Sequence, residues 1–225
     1  MSLRSFGVVA LLALLAACGS PPQPPPPASP EPPTAGLVDP DTACLRDLAA
    51  ANATFQPLGS FGRGSCRIAN PVRISGGPLA WNHPGILTCR MARTLIHFET
   101  DVVQPLALKH FHQAVVRIDH FGTYDCRVRR TETTVAANRL GTSKGGRLSE
   151  HAMGRAIDLA GFELADGTVV SVKKDWHAGG QRGAFLHEVA RASCRVFNVV
   201  LTPNHDRLHQ DHIHLDIGPN TLCGY

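Results

Sequence analysis

The clearest hydrophobic pattern in the chain is helical and lies between residues 88 and 110. Apolar residues recur there at intervals of three or four, at Met91, Leu95, Phe98, Val102 and Leu106. This spacing places them on one face of an α-helix, and Thr88 can cap its first turn. Pro105 should kink this helix or end it early, because proline has no N–H to donate within a helix.

Two further helices are predicted, at residues 39–52 and 183–194. Segments with strand character lie between and after them, at residues 114–120, 155–164, 169–172, 196–203 and 212–218. The tetrapeptide "ADGT" joins two of these segments and is typical of a hairpin turn. We therefore expect an α+β fold in which two or three helices pack on a mostly antiparallel sheet, with 212–218 as the last strand.

The chain begins with the pattern of an export signal. An apolar run at residues 6–17 follows the positively charged Arg4 and is too short to span a bilayer as a helix. Small residues directly before Cys18 resemble the lipobox of bacterial lipoproteins, so we expect residues 1–17 to be a signal peptide and Cys18 to be lipidated. The alternative is an ordinary signal peptide with a chance cysteine. Gly19 resembles the pattern of lipoproteins sent to the outer membrane.

A proline-rich segment follows the predicted anchor. Residues 18–36 favour polyproline II, which cannot build a core, and they predict a stiff linker. Residues 37–225 are long enough for one domain with a hydrophobic core. The formal net charge is +4 without a dense basic run, so a nucleic-acid partner is not indicated. We expect an exported monomer, anchored by lipid on the periplasmic side.

Cysteine usage agrees with export. Six cysteines remain when Cys18 is set aside, and no Cys-x-x-Cys pair is present. An even number behind a signal peptide predicts three disulfides, formed by Cys44, Cys66, Cys89, Cys126, Cys194 and Cys223. Six cysteines allow 15 connectivities, and spacing does not choose among them. We favour Cys44–Cys66, which would tie down the N-terminal segment, and Cys194–Cys223, which would tie down the C-terminus.

Two segments carry the residues of a possible metal site. The first, "RLSEHAMGRAIDLAGF", contains His151 and Asp158, with Gly154 between them to allow a tight bend. An unpaired carboxylate within this strand-like segment would be costly, and a bound cation would remove that cost. The second, "HDRLHQDHIHLDIG", places His212 and His214 on one face of a strand. His151, Asp158 and one histidine of this pair would supply the three ligands that are common at a catalytic zinc.

Both segments resemble motifs of a known superfamily. The first matches in full the SxHxxGxAxD pattern of the zinc D-alanyl-D-alanine peptidases, and "HIH" at 212–214 matches their second motif. This superfamily includes lysostaphin-type and murein endopeptidases and the hedgehog signalling domain. With the six cysteines, "GTYDCR" and "DHIHLD" make the chain resemble the extensin-like C-terminal domain family of exported bacterial proteins. The resemblance implies a hedgehog-like, D-Ala-D-Ala peptidase-like fold.

The resemblance also implies roles at the metal. His151, Asp158 and His214 correspond to the ligands of Zn²⁺. Asp211 and His212 are alternative general bases, because each matches a position beside the metal. Adjacent residues on a strand face opposite ways, so only one of the two should point at the ion.

Residues around the ligands have counterparts as well. His209 matches a histidine near the metal in murein endopeptidases. Arg127 is the candidate to stabilise a developing oxyanion, with Arg129 or Arg130 as alternatives because the register is offset by a cysteine. Ser149 is expected to orient the motif by hydrogen bonding. Asp216 is expected either to hold a ligand histidine or to face solvent.

Two functions therefore stand as hypotheses. The first is a zinc metallopeptidase, either a carboxypeptidase or an endopeptidase, that hydrolyses amides in peptidoglycan peptides with metal-activated water. The second is a non-catalytic, zinc-containing lipoprotein that binds the cell wall, since the hedgehog branch keeps the fold and zinc in a binding role. Asp211, His212 and His209 together favour the enzyme, because a binding module does not need ionisable residues beside the ligands.

Overall fold

A mostly antiparallel sheet forms the framework of the domain. The computed structural model describes residues 40–131 and 146–225. In chain order its strands are β1 (Thr54–Pro57), β2 (Ser60–Phe61), β3 (Ile68–Ala69), β4 (Pro71–Gly76), β5 (Ala80–Thr88), β6 (Val115–His120), β7 (Ala156–Leu164), β8 (Val169–Ser171), β9 (Val199–Leu201), β10 (Ile213–Asp216) and β11 (Leu222–Gly224).

The main sheet has the strand order β1-β4-β5-β6-β7-β10-β9-β11, and β8 also pairs with β7. The β5–β6 and β9–β11 pairs are parallel and the remaining pairs are antiparallel. The strands β2 and β3 form a separate antiparallel pair. The predicted α+β class with a mostly antiparallel sheet is confirmed. The expectation that β10 is the last strand is wrong, because β11 follows it and pairs with β9.

Helical segments outnumber the two or three that were predicted. They are α1 (Pro40–Ala50), α2 (Cys89–Phe98), α3 (Gln104–Phe111), α4 (Val172–Asp175) and α5 (Gly180–Ser193). The strand predicted at 169–172 is shorter than expected, because Val172 already begins the single turn of α4. The "ADGT" hairpin is confirmed by the antiparallel pairing of β7 with β8.

The predicted helix at 88–110 is present but interrupted. Thr88 caps α2, its side chain accepting a hydrogen bond from the backbone N–H of Met91 at 3.3 Å. A π-helical turn, Glu99–Val103, separates α2 from α3. Pro105 lies in the first turn of α3, where its missing N–H is tolerated. The interruption is therefore confirmed, although the chain resumes helical geometry as far as Phe111.

Alternating residues of β7 and β10 divide the sheet into a core face and a site face. Ile157, Leu159 and Leu215 are buried in a hydrophobic core that also contains residues of α2 and α5. Asp158 and His214 alternate with these residues and therefore project from the opposite face. The residues that the structure describes form one compact unit around this core.

Three disulfides reinforce the unit. They join Cys44 to Cys89, Cys66 to Cys126 and Cys194 to Cys223. The expected Cys194–Cys223 bond is confirmed and the expected Cys44–Cys66 bond is wrong. Helix α1 packs against α2, which begins at Cys89, so Cys89 is the partner within reach of Cys44. Cys66 instead anchors the segment after β6, where Tyr124 also donates a hydrogen bond to the carbonyl of Cys66 at 3.0 Å.

Candidate metal centre

A glycine turn brings His151 to the site face of the sheet. His151–Met153 form a 3₁₀ turn that ends at Gly154, whose φ of +62° lies in the left-handed region. A Cβ at this position would lie 2.6 Å from Cδ1 of Ile68 and 3.2 Å from the backbone nitrogen of Thr88. Both the conformation and the available space therefore require glycine. The bend predicted between His151 and Asp158 is confirmed.

Ser149 stabilises the start of this turn. Its hydroxyl oxygen accepts a hydrogen bond from the backbone N–H of His151 at 3.4 Å. The backbone N–H of Ser149 donates to the carbonyl of Arg127 at 3.0 Å, which connects the turn to the segment that follows β6. The side chain of Ser149 is buried and makes the hydrogen bond expected of an orienting residue.

Asp158 and His214 meet through strand pairing. Asp158 on β7 lies directly opposite His214 on β10 in the antiparallel ladder. Opposite residues of such a ladder project from the same face with neighbouring Cβ atoms. The register of two strands therefore places the carboxylate beside the imidazole, and the glycine turn adds His151.

Three donor atoms converge at this point. Nε2 of His151 lies 3.1 Å from Oδ1 of Asp158 and 3.2 Å from Nδ1 of His214, and the latter two atoms are 3.0 Å apart. The three atoms thus form a nearly equilateral triangle. Ligands about 2.0–2.2 Å from a tetrahedral zinc ion have a similar separation from one another. The three residues predicted as ligands are the group in the described part of the chain whose donor atoms could share one ion.

Hydrogen bonds on the far side of each imidazole set its tautomer. Nδ1 of His151 faces the carbonyl of Thr123 at 3.1 Å, so this nitrogen carries a proton. Nε2 of His214 faces Oδ2 of Asp216 at 3.0 Å and donates to it. In the neutral rings, Nε2 of His151 and Nδ1 of His214 consequently turn their lone pairs towards each other and towards Asp158. A positive charge at this point, from a proton on Nδ1 of His214 or from a bound cation, would remove the repulsion among the three atoms.

The pKa shifts of Asp158 and His214 agree with a positive charge at this point. Burial alone would raise the pKa of Asp158, but hydrogen bonds from His151 and His214 hold that pKa well below its usual range. Burial likewise opposes the charge of His214, yet its contacts with Asp158 and Asp216 raise its pKa to about 9. The surroundings therefore favour an ionised Asp158 with positive charge beside it.

His212, rather than Asp211, points at the centre. Nε2 of His212 lies 3.5 Å from Oδ1 of Asp158, and Nδ1 lies 2.9 Å from Oδ1 of Asp211. The carboxylate of Asp211 therefore lies behind the imidazole, with a side chain that is 43% exposed. The sequence left these two residues as alternatives, and their side chains indeed take different directions.

His209 lies against the same group. Its ring centroid is 5.1 Å from that of His212 and 6.0 Å from that of His214. Its Nδ1 is 2.7 Å from Oδ1 of Asp206. Burial lowers the pKa of His209 even though Asp206 opposes the shift. His209 thus lies against the centre with its Nδ1 held by a carboxylate.

The centre forms part of the lining of a cleft of about 370 Å³. Arg127, Arg129 and Arg130 line this cleft together with apolar residues of β9 and β11. Nε of Arg127 donates to Asp125 at 2.8 Å, and Nη2 of Arg129 donates to the buried Glu150 at 3.2 Å. The structure therefore places all three arginines that the sequence proposed at the cleft.

Three contributors to the centre were missed by sequence reasoning. The carbonyl of Thr123 is a backbone group, so its residue type carries no signal. Asp206 precedes His209 by three residues, a spacing that could have suggested the pair. Phe121 is 57% exposed and contacts His212 with ring centroids 6.0 Å apart. Its position depends on the path of the chain after β6, which no local pattern predicts.

Several predictions concern residues that the structure does not describe. The signal peptide at residues 1–17, the lipidated Cys18 and the linker at 18–36 lie outside the described residues. Among residues 40–131 and 146–225, no helix has the length and apolar character needed to cross a membrane.

Comparison with known proteins identifies the family. Searches of curated proteins and of solved structures find no match to the chain. The model of one family, described as extensin-like protein C-terminus, matches residues 42–224. This match covers most of the chain and includes every residue of the candidate metal centre. The chain therefore belongs to the extensin-like protein C-terminus family.

Proposed function

We propose that the protein is a zinc metallopeptidase that hydrolyses amide bonds in peptidoglycan peptides. The observation that carries this proposal is the convergence of His151, Asp158 and His214, whose donor atoms are 3.0–3.2 Å apart. A hydrogen bond at the other nitrogen of each imidazole fixes the orientation of the ring. Two neutral nitrogens and one carboxylate are a ligand set that suits zinc. A bound zinc ion would polarise the substrate carbonyl and make an attacking water more acidic.

His212 would accept the proton of the attacking water at Nε2. Its Nδ1 faces Asp211 at 2.9 Å, which keeps the proton on Nδ1 and leaves the lone pair on Nε2. The 3.5 Å distance between Nε2 and Oδ1 of Asp158 supports this role, because it would leave the lone pair close to a metal-bound water. Asp211 would then orient the base and stabilise its protonated form. This division of roles is the argument for a catalytic rather than a binding function.

The cleft supports a peptide substrate that carries negative charge. Arg127 has further N–H groups beyond those that donate to Asp125 and to the carbonyl of Val128, and these could hydrogen-bond to a carbonyl oxygen that gains charge. Peptidoglycan stem peptides bear carboxylates that Arg129 and Arg130 could attract. The predicted export signal would bring the domain to such a polymer, with Cys18 as its lipid anchor at the outer membrane and the protein acting as a monomer.

We also infer that the domain shares the fold of the D-alanyl-D-alanine peptidase and hedgehog superfamily. The supporting observation is the placement of the two motifs on adjacent antiparallel strands, β7 and β10, with their histidines and aspartate on one face. A crystal structure of the protein, compared with members of that superfamily, tests this inference directly.

The proposed activity is tested by digestion of purified sacculi with the full-length protein. Bound zinc is first measured by mass spectrometry, and the soluble muropeptides released by the protein are then separated by chromatography. We expect one zinc ion per chain and new muropeptides. His151→Ala and His214→Ala should lose both. His97→Ala removes an exposed histidine near the end of α2, outside the candidate centre, and serves as the matched control.

The outcomes separate the two hypotheses. A zinc-loaded protein that sediments with sacculi but releases no muropeptide would be a cell-wall-binding module. If His151→Ala leaves the zinc content unchanged, the ligand assignment is wrong.

A further inference from the structure

Glu150 is a buried carboxylate that lies between two arginines. It precedes the candidate ligand His151 in the chain, and its side chain is 6% exposed. Its Oε1 accepts a hydrogen bond from Nη2 of Arg129 at 3.2 Å. Its Oε2 accepts a hydrogen bond from Nε of Arg155 at 2.9 Å and lies 2.7 Å from Nη2 of the same residue. Each carboxylate oxygen therefore binds a different arginine.

The backbone after β10 confines the carboxylate of Glu150. A Cβ on Gly218 would lie 2.4 Å from Cδ of Glu150, so the carboxyl group packs directly against this glycine. Gly218 is itself fixed, because its N–H donates to Asp216 at 2.8 Å and its carbonyl accepts a hydrogen bond from Asn198 at 2.6 Å. Glu150 is thus a rigid support for any group that binds it.

A short backbone pairing brings Arg129 to this support. Val128 and Leu148 form an antiparallel bridge, and the N–H of Ser149 donates to the carbonyl of Arg127 at 3.0 Å. Side chains alternate along such an extended segment, which puts Arg127 and Arg129 on the same side of it. Both of these arginines line the cleft that contains the candidate metal centre.

The two arginines bound to Glu150 differ in their position relative to the cleft. Arg129 lines the cleft together with Asp158 and His214, whereas Arg155 is not among the described residues that line it. A guanidinium group matches a carboxylate with N–H groups that lie in one plane. Because Glu150 already orders Arg129, a ligand carboxylate would immobilise less of this side chain on binding.

The acidic residues of the cleft do not cancel this attraction, because they already have partners. Asp206 accepts a hydrogen bond from the backbone N–H of Leu208 at 2.8 Å. Asp216 accepts a hydrogen bond from Nε2 of His214 at 3.0 Å. These contacts reduce the repulsion that each carboxylate exerts on an anionic ligand near Arg129.

We propose that Glu150 is a positioning residue, which holds Arg129 at the cleft so that Arg129 binds a free carboxylate of the peptide substrate. The inference rests on the proposed peptidase function and specifies a group that its substrate must carry. Glu150 acts through Arg129 and not by contact with the substrate. A peptide whose carboxylates are converted to carboxamides would lose the charged contact with Arg129.

The test uses two forms of one muropeptide, with its carboxylates free or converted to carboxamides. At matched zinc occupancy, we expect the full-length protein to show at least a tenfold higher kcat/KM for the carboxylate form. Glu150→Gln and Arg129→Gln should each remove this preference by raising KM for the carboxylate form, with kcat changed less than twofold. Arg155→Gln is the matched control, because it removes the other partner of the same carboxylate.

A double variant separates positioning from an independent contact. If Glu150 acts through Arg129, the variant Glu150→Gln/Arg129→Gln should have the KM of Arg129→Gln alone. Additive effects of the two substitutions would overturn the positioning role. Glu150→Asp keeps the charge but withdraws it from Arg129 by one methylene, so it should also raise KM and serves if Glu150→Gln does not fold. Failure of both variants to fold, while Arg155→Gln folds, would make Glu150 a structural residue and overturn the inference.

A binding measurement keeps this inference separable from the peptidase proposal. Fluorescence anisotropy with each labelled form of the muropeptide, in the His212→Ala background, reports binding without turnover. We expect a Kd at least tenfold lower for the carboxylate form. Glu150→Gln should lose this preference, and Arg155→Gln should keep it.

The outcomes for the two proposals differ. The expected binding pattern without any hydrolysis by the wild-type protein would refute the peptidase and support the role of Glu150. Hydrolysis without a preference between the two forms, or equal behaviour of Glu150→Gln and Arg155→Gln, would overturn the role of Glu150 and leave the peptidase intact. Absence of both hydrolysis and binding would overturn both.

Discussion

Asp216 accepts a hydrogen bond from His214 on the side of the ring that faces away from Asp158. Oδ2 of the carboxylate lies 3.0 Å from Nε2 of the imidazole. The other oxygen, Oδ1, accepts a hydrogen bond from the backbone N–H of Gly218 at 2.8 Å, so the carboxylate is itself fixed. Nδ1 of His214 is thereby left to face Asp158. The sequence left open whether Asp216 contacts a candidate ligand histidine or faces solvent. In the structure it contacts His214.

Substitution Asp216→Asn should weaken zinc binding about 10- to 100-fold, because a neutral amide no longer fixes the tautomer or raises the basicity of the ring. Competition with a chromogenic chelator measures the affinity. Asp166→Asn changes an exposed aspartate that accepts hydrogen bonds from Gln113 and from the backbone N–H of Thr168, and it should leave the affinity unchanged. Equal affinities in the two variants would contradict the role of Asp216.

The base assignment predicts unequal effects for two neighbouring residues. His212→Ala should lower kcat on sacculi or muropeptides by about 10²–10⁴, the usual contribution of general base catalysis, with zinc content retained. Asp211→Asn should cost less, because Nε2 of His212 still faces the centre. Rates for both variants are measured at matched zinc occupancy. The reverse order of effects would make Asp211 the base.

The buried Glu99 predicts a pH dependence of stability. Burial raises the pKa of Glu99 to about 7, although hydrogen bonds from Trp81 and Leu79 oppose the shift. In the unfolded chain the same group titrates near 4.5. Because the pKa is higher in the folded protein than in the unfolded chain, Glu99 makes its full contribution to the free energy of unfolding below pH 4.5. This contribution is lost as the pH rises to about 7 and above. The loss amounts to about 3 kcal/mol.

Urea unfolding of the wild-type protein and Glu99→Gln between pH 4.5 and 8 measures this effect. The free energy of unfolding of the variant, relative to the wild type, should rise by about 3 kcal/mol over that range. A constant offset from a weakened hydrogen bond to Trp81 or Leu79 does not alter the slope. A flat difference between Glu99→Gln and the wild type over this pH range would refute the raised pKa.

Two disulfides of similar loop length predict different functional effects. Replacing Cys66 and Cys126 by serine opens a loop of 60 residues, and replacing Cys44 and Cys89 opens one of 45. Loop-closure entropy predicts a loss of about 4 kcal/mol in each case. Only Cys126 lies in the segment that supplies the carbonyl of Thr123 and the side chain of Arg127.

The Cys66→Ser/Cys126→Ser variant should therefore also bind zinc more weakly, whereas the Cys44→Ser/Cys89→Ser variant should not. Thermal unfolding and chelator competition, performed on both variants at a temperature where each is folded, separate stability from affinity. Loss of zinc affinity in both variants would mean that the effect comes from global destabilisation.

Much of the local structure could be predicted from the sequence. Thr88 caps a helix, "ADGT" turns a hairpin, and Gly154 takes a left-handed conformation, because each feature depends on residues that are close along the chain. The three candidate ligands could also be named in advance, since the spacing within each motif restricts which side chains can share a face. Their convergence on one point depended on the pairing of β7 with β10.

Only the tertiary structure decided how distant segments combine. The partners of Cys44 and Cys66 follow from the packing of α1 on α2 and from the path of the chain after β6, neither of which has a local signature. The sequence by itself determined which residues can bind a metal and which faces of the strands carry them, because alternation and turn geometry are local properties. The strand pairing determined that Asp158 lies beside His214, because neighbours in a sheet are set by contacts between residues far apart in the chain.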